Sequence, residues 1–132
     1  NHPFYKRTHY SLMKKIEGII GMDLLPTYYF DRFYYEGQEL TRHHDRPSCE
    51  ISATVQISTN RDQAWPIWFE LPDHTENSVS MKNGDMVIYK GCERDHWREP
   101  LTGKNSYHHQ IFFHYVNAQG PYVHYAYDSG VG

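Results

Sequence analysis

An all-β sandwich or barrel with one flanking N-terminal helix is the fold class that this sequence predicts. After Pro26 the apolar pattern has a period of two, and Gly, Pro and Asn turn signals separate the short runs. Tyrosine, which favours strands, occurs twelve times in the 132 residues. Many short strands of this kind are typical of sandwiches and barrels, and jelly rolls of the cupin type close their edges in this way. We expect one domain over residues 1–132, with a barrel core at about residues 26–117.

The one helix is predicted at roughly Thr8–Met22. Leu12, Ile16 and Ile19 fall on one face of it, and Gly21 can end it. Eight strands follow, each short and bounded by turn residues. Their expected ranges are Thr27–Tyr35, Glu39–Asp45, Glu50–Ser58, Ile67–Leu71, Ser78–Met81, Met86–Lys90, His96–Arg98 and His108–Val116. Tyr122–Tyr127 can add an edge strand.

Composition excludes several classes of function. The net charge is −3 with a pI near 6.4, and the basic residues are scattered, so no nucleic-acid partner is expected. No apolar run is long enough to span a membrane, and no signal peptide opens the chain. Two cysteines, Cys49 and Cys92, are too few for a disulfide framework and fit a reducing compartment. We therefore expect a cytoplasmic protein without a membrane partner.

The most informative motif is His43-His44-Asp45, followed about fifty residues later by His96. In an extended strand, residues i and i+2 point the same way, so His43 and Asp45 can converge on one ion while His44 points elsewhere. With a second histidine from another strand, they form the 2-His-1-carboxylate set that binds non-haem Fe(II) and leaves one side open. The same ligands could bind zinc, or the residues could simply hydrogen-bond at strand ends.

Longer segments around these residues resemble the prolyl-4-hydroxylase-like branch of the Fe(II)/2-oxoglutarate dioxygenases. The run from Asp31 to Asp45 is similar to its aromatic strand, Gly turn and His-x-Asp. Asn83–Tyr89 resembles the Gly-Asp turn and strand before the distal histidine, His96–Gly103 the distal-histidine segment, and Gln110–Tyr115 the last barrel strand. The His-x-Asp-Arg-Pro and His-Trp-Arg-Glu-Pro sequences are most similar to small bacterial and viral members.

The resemblance implies a double-stranded β-helix that binds Fe(II) through His43, Asp45 and His96. It also implies 2-oxoglutarate as co-substrate, dioxygen as oxidant and hydroxylation of a C–H bond in an unidentified protein, peptide or small molecule. A prolyl or other protein side chain is the leading substrate class, and ascorbate is expected to support turnover. The alternatives are a non-catalytic cupin-like module that binds a metal or small molecule, and an interaction domain whose triad residues lie apart.

A cation is needed for the far carboxylate of 2-oxoglutarate, because an unpaired anion in a dry pocket is costly. The family commonly places an Arg or Lys early in the last strand, and this chain departs from that pattern. Arg98 is our first candidate, because it faces the same side as His96 and its planar fork suits a carboxylate. His108 and then Lys104 follow. Tyr34, Thr54 and Gln56 are the other residues expected to line the co-substrate pocket.

Overall fold

Two four-stranded antiparallel sheets form the protein, as a computed structural model describing residues 3–127 shows. The elements are α1 (Pro3–Ile20), β1 (Leu24–Tyr35), β2 (Leu40–His43), β3 (Ile51–Thr59), β4 (Ile67–Glu70), β5 (Glu76–Val79), β6 (Met86–Tyr89), β7 (His96–Arg98) and β8 (Tyr107–Asn117). The strand order is β1-β8-β3-β6 in the first sheet and β2-β7-β4-β5 in the second. The three longest strands, β1, β3 and β8, all belong to the first sheet. The predicted all-β jelly-roll fold with an N-terminal helix is confirmed.

Helix α1 covers the outer face of the first sheet. It begins earlier than the pattern predicted, with Pro3 as its first residue, where the missing N–H costs nothing. It ends at Ile20, and the next residue, Gly21, has a φ of 68° and donates its N–H to Glu17 O at 2.9 Å. Met13 and Ile16 are buried on its inner side. They pack in one cluster with Leu24, Ile51, Ala53, Ile111, Phe113 and Tyr115.

The interior of the barrel is unusually polar. On β3, the apolar side chains Ile51 and Ala53 belong to the cluster under α1, whereas Ser52, Thr54 and Gln56 are buried on the opposite face. The polar face of this strand therefore points inward, as the family resemblance implied. Buried polar groups must find hydrogen-bond partners, either in the protein or in a polar ligand.

Two segments differ from the sequence prediction. Strand β2 ends at His43, so Asp45 lies just beyond the ladder rather than inside it. Tyr122–Tyr127 is not an edge strand: it contains a short 3₁₀ turn at Val123–Tyr125, and Tyr127 N–H donates to Pro26 O at 2.6 Å. The remaining strands match their predicted positions to within a few residues.

No helix in the described residues is long and apolar enough to cross a membrane.

Candidate metal centre and its pocket

Three predicted ligand side chains meet at one point. His43 Nε2 lies 3.1 Å from Asp45 Oδ1, and His96 Nε2 lies 3.4 Å from the same oxygen. One ligand atom from each of the three residues lies within 4.8 Å of the others. The histidines come from neighbouring strands, since His43 on β2 is the register partner of His96 on β7.

Asp45 is positioned by the backbone of a glycine. Asp45 N–H donates to Gly91 O at 2.8 Å, just after β6. A Cβ on Gly91 would lie 2.4 Å from Cys49 O, 2.6 Å from Ser52 Oγ and 2.7 Å from Asp45 Oδ2. Only a residue without a side chain fits there, so the carboxylate is confined with Oδ1 towards the histidines.

Hydrogen bonds define the orientation of both imidazoles. His43 Nδ1 lies 2.6 Å from Thr41 O, and His96 Nδ1 lies 2.9 Å from Arg94 O. A carbonyl oxygen can only accept, so each Nδ1 carries the proton and donates it. In the neutral imidazoles, both Nε2 lone pairs therefore point towards Asp45, which is the arrangement that metal-binding histidines adopt.

The electrostatics of the triad favour a cation between its members. Burial alone would raise the pKa of Asp45, but hydrogen bonds from His43 and His96, which form when their Nε2 atoms also carry protons, outweigh it and hold that pKa far below its usual range. The hydrogen bond to Asp45 raises the pKa of His43, although burial opposes this effect. In the absence of a metal, a proton on a histidine relieves the clustering of lone pairs.

The donor set fits a divalent metal ion. Donors about 2.1 Å from an ion and at right angles to each other are separated by about 3.0 Å, close to the two distances observed here. Two imidazole nitrogens and one carboxylate oxygen occupy one face of an octahedron and leave the other side free. His96 is 2% exposed and Asp45 15% at the side chain, whereas His43 is 37% exposed, so the centre opens towards solvent on one side.

The residues beside the triad point away from it. His44 is exposed, and its Nδ1 lies 3.5 Å from Asp95 Oδ1. Asp95 also accepts from Arg42 Nε at 3.2 Å on the outer surface. Neither side chain is a fourth ligand within the described part of the chain.

A cavity of about 260 Å³ opens onto the triad. His114, one of its lining residues, is buried and bonded through Nδ1 to Ser52 Oγ at 2.8 Å. Burial lowers the pKa of His114 to about 4, so this ring is neutral near pH 7. Apart from the triad, the cavity is lined by Tyr28, Phe30, Arg32, Leu40, Tyr89, Phe112 and His114.

Deeper in the barrel, several polar groups surround the buried Trp65. Arg98 Cζ lies 4.8 Å from the centre of the Trp65 ring, and the rings of Tyr34 and His108 lie 4.9 Å and 5.1 Å from it. Within residues 3–127, Tyr34 Oη and His108 Nε2 are buried without a hydrogen-bond partner. Burial, with help from the Arg98 charge, lowers the pKa of His108 to about 4, so His108 is neutral at pH 7.

One edge of the Arg98 guanidinium has no partner within this group of residues. Arg98 is 1% exposed, and its Nη1 donates to Trp65 O at 2.6 Å. Its Nε and Nη2 are buried and have no acceptor among the described residues. These are the two parallel donors with which an arginine forms a bidentate pair with a carboxylate. Burial lowers the pKa of Arg98 to about 10, so the guanidinium is still charged at pH 7.

The other predicted pocket residues are placed less favourably. Thr54 Oγ1 is bonded to Tyr89 Oη at 3.2 Å, and Gln56 Nε2 donates to Asn83 Oδ1 at 3.0 Å. Both face inward, but these polar groups already have protein partners. Lys104 is exposed in the loop before β8, where it lines a separate surface cavity with Arg61.

Arg32 is a pocket residue that the sequence reasoning did not identify. It lines the cavity beside the triad and stacks on Tyr34, with Cζ 4.1 Å from the ring centre. The signal was available, because Arg32 is two residues before Tyr34 on a strand and therefore shares its inward face. The sequence was interpreted there only as an aromatic strand.

Comparison with known proteins shows the fold. No protein-family model and no curated protein matches the chain. It is similar to a Pseudomonas putida prolyl-4-hydroxylase, with a TM-score of 0.63 and 18% identity over 81% of this chain and 60% of that one. It is also similar to an oxidoreductase of the 2OG-Fe(II) oxygenase family from Burkholderia pseudomallei (TM-score 0.64, 13% identity, 81% and 54% covered). A third similar structure is the non-heme monooxygenase ThoJ, with a TM-score of 0.63 and 12% identity over 82% of this chain and 52% of that one.

The chain thus spans little more than half of the length of these oxygenases. At such identities the likeness establishes the barrel architecture that these oxygenases share. The fold that the resemblance implied is confirmed.

Proposed function

We propose that the protein is a non-haem Fe(II)- and 2-oxoglutarate-dependent dioxygenase that hydroxylates a C–H bond. The observation that carries the proposal is the free donor edge of Arg98, buried in the same barrel as the His43–Asp45–His96 centre. A buried, uncompensated guanidinium is costly, and a ligand carboxylate removes that cost. A non-catalytic metal-binding module gives no reason for such a group.

His43, Asp45 and His96 would hold the iron. This set of ligands is typical of non-haem Fe(II) oxygenases. When bound, Fe(II) supplies the binding position for the keto-acid end of 2-oxoglutarate and for dioxygen, and the redox chemistry that converts the keto acid to succinate and carbon dioxide. Thr41 O and Arg94 O keep the Nδ1 protons of the two histidines, so that both Nε2 atoms stay available.

Arg98 would bind the far carboxylate of 2-oxoglutarate through Nε and Nη2. Tyr34 Oη can donate a further hydrogen bond to the same carboxylate, and neutral His108 can donate through Nε2 when the ring is in that tautomer. Trp65 forms the wall beneath the guanidinium and is itself held by a bond from Nε1 to Glu99 O at 2.8 Å. The pocket thereby orients the co-substrate and keeps water from it.

The proposal also names the oxidant, the reductant and the candidate substrates. Dioxygen is the oxidant, and ascorbate is expected to prolong turnover by keeping the iron reduced. A prolyl or other protein side chain is one candidate substrate, because one similar structure is a prolyl-4-hydroxylase. A small molecule is the other.

The proposal is tested without knowing the substrate. Protein with Fe(II), 2-oxoglutarate and oxygen should release succinate slowly, ascorbate should extend the release, and Zn(II) should block it. Under anaerobic conditions, Fe(II) and 2-oxoglutarate together should give a weak visible charge-transfer band. Absence of the band at saturating 2-oxoglutarate, with iron demonstrably bound, would reject the dioxygenase and leave a metal-binding module.

A further inference from the structure

A second arginine with no anionic partner lies beside the metal centre. Arg32 on β1 lines the cavity of about 260 Å³ that opens onto His43, Asp45 and His96. It is half-buried and belongs to the inward face of the first sheet. Its position is distinct from that of Arg98, which is buried against Trp65 deeper in the barrel.

The guanidinium of Arg32 is held in place by the ring of Tyr34. Its Cζ lies 4.1 Å from the ring centre, within the range of a cation–π contact. Across the ladder its register partner is Gln110 on β8, which is fully buried and carries no charge. Stacking leaves the edge of a guanidinium free to donate, so the Arg32 fork is oriented before any ligand arrives.

Nothing in the described range supplies a counter-charge. No hydrogen bond or ion pair of Arg32 occurs within residues 3–127. The adjacent Asp31 faces the outer side of the sheet, where it is bonded to His109 Nε2. Asp45, the only carboxylate among the described residues that line the cavity, is engaged by His43 and His96.

Three residues give the cavity an apolar wall, beside the polar side chains of Tyr28, Tyr89 and His114. Phe30 and Phe112 form neighbouring walls, with ring centres 6.4 Å apart, and Leu40 closes the opposite side from the second sheet. Phe30 is exposed, so this part of the wall lies at the mouth. The cavity thus combines an apolar surface with one directed cation.

We propose that Arg32 binds an anionic oxy-acid group, a carboxylate or phosphate, on an apolar substrate presented to the metal. This inference rests on the proposed function and names the substrate class for it. Under that function, the charges of Fe(II), Asp45, Arg98 and a dianionic 2-oxoglutarate cancel. The Arg32 charge then remains for the substrate, in a cavity where an ion pair is only partly screened by water.

Binding of matched acids and amides tests the inference. The protein is loaded with Zn(II), which takes the same ligands without redox chemistry, and with saturating 2-oxoglutarate, whose binding is measured first by calorimetry. It is then titrated with 3-phenylpropanoate, its neutral amide 3-phenylpropanamide, and 3-phenylpropyl phosphate. At least one anion should bind about ten- to a hundredfold more tightly than the amide, as expected for a charge-assisted pair. Which anion binds more tightly distinguishes carboxylate from phosphate.

Three variants assign the effect to Arg32. Arg32→Gln should abolish the preference for the anion, and Arg32→Lys, which keeps the charge but loses the fork, should retain part of it. Arg7→Gln, a matched change at an exposed arginine of α1, should keep all of it. Circular dichroism checks that each variant is folded. If Arg32→Gln does not fold, a partial loss of the anion preference in Arg32→Lys is the deciding result.

The outcomes separate the two hypotheses. Equal binding of the acid, phosphate and amide to the parent protein overturns the role of Arg32, as does an unchanged preference in Arg32→Gln. Weaker binding of 2-oxoglutarate itself to Arg32→Gln, with the anion preference intact, assigns Arg32 to the co-substrate and also overturns it. Failure of 2-oxoglutarate to bind the Zn(II)-loaded parent contradicts the proposed function instead.

Discussion

At the scale of single residues, the geometry of the candidate metal centre depends on close contact with Gly91. The contacts that an added Cβ would make with Cys49 O, Ser52 Oγ and Asp45 Oδ2 are all shorter than those that real Cβ atoms make. One of these atoms is backbone, which cannot move as a side-chain end can. The position of the Asp45 carboxylate therefore depends partly on the absence of a side chain at Gly91.

Gly91→Ala should destabilise the protein and weaken metal binding. Overpacking of this kind costs roughly 1–3 kcal/mol, and displacement of Asp45 should reduce metal affinity by about ten- to a hundredfold. Urea unfolding and Co(II) titration measure the two effects. Gly18→Ala is the matched control: its Cβ meets nothing within 4 Å, and it lies inside α1. It should stabilise by about 0.5–1 kcal/mol and leave the metal affinity unchanged.

Removing a ligand should have a larger effect than removing its neighbour. Asp45→Ala takes away the only anionic donor of the triad, so Fe(II) retention and succinate release should both be lost. His44→Ala should be tolerated, because the His44 side chain is exposed and faces Asp95. Metal analysis after gel filtration gives the comparison. Fe(II) bound equally well by Asp45→Ala and the parent protein would show that the ligand assignment is wrong.

Strand alternation was enough to predict some pocket residues and not others. Arg98 follows His96 by two residues, and the structure buries both side chains in the barrel. What the sequence could not provide is the partner of Arg98, because Trp65, whose carbonyl and ring it contacts, lies 33 residues away in the loop before β4. For that reason Arg98, His108 and Lys104 were all candidate anchors; Arg98 and His108 are buried, whereas Lys104 is exposed. The role of Arg98 in binding 2-oxoglutarate stays a prediction.

At the scale of elements, α1 contributes the buried layer behind the first sheet. Ile16 is fully buried in the cluster under the helix, and it points away from the metal cavity. Ile16→Ala should cost about 2–5 kcal/mol of unfolding free energy, because it removes a buried side chain and leaves a cavity. Equilibrium urea unfolding measures the loss. Co(II) affinity of the folded protein should not change, and a parallel loss of affinity would mean that α1 also shapes the site.

Periodicity predicted the strands that pair on both sides better than it predicted the edge strand β2 and the segment after β8. Strand β7 has its predicted limits, and β8 differs by one residue at each end. Tyr122–Tyr127 has the aromatic composition of a strand, but tertiary context prevailed: the segment contains a 3₁₀ turn, and its Tyr127 N–H donates to Pro26 O on β1. Likewise β2 stops at His43, because the following backbone bonds to the loop at Gly91.

At the scale of the whole molecule, buried neutral histidines make the fold sensitive to acid. Burial lowers the pKa of His9, and it lowers that of His108 to about 4. A lowered folded-state pKa means that the unfolded chain binds protons first as the pH falls. The full stability contribution is therefore present above about pH 6.5 and is lost progressively towards pH 4.

Stability should accordingly fall as the pH is lowered from 7.5 to 4.5. Each such histidine adds a slope of up to about 1.4 kcal/mol per pH unit within this window. His108→Asn should give a shallower dependence of the urea midpoint on pH than the parent protein. A His74→Asn change, at an exposed histidine, should leave the slope as it is. An unchanged slope in His108→Asn would mean that this ring is not held neutral.

The free donor edge of Arg98 also implies a trade-off between thermal robustness and affinity for the keto acid. A buried guanidinium without an acceptor destabilises the ligand-free protein. Replacing it with an apolar side chain of similar length should therefore leave the melting temperature unchanged or raise it. Arg98→Met should therefore melt no lower than the parent in calorimetry without ligand. With 2-oxoglutarate at a hundred times its Kd, the parent should gain about 2.7 kcal/mol and Arg98→Met almost nothing. Under the proposed function, selection for binding of the keto acid explains why the chain keeps a side chain that lowers its stability.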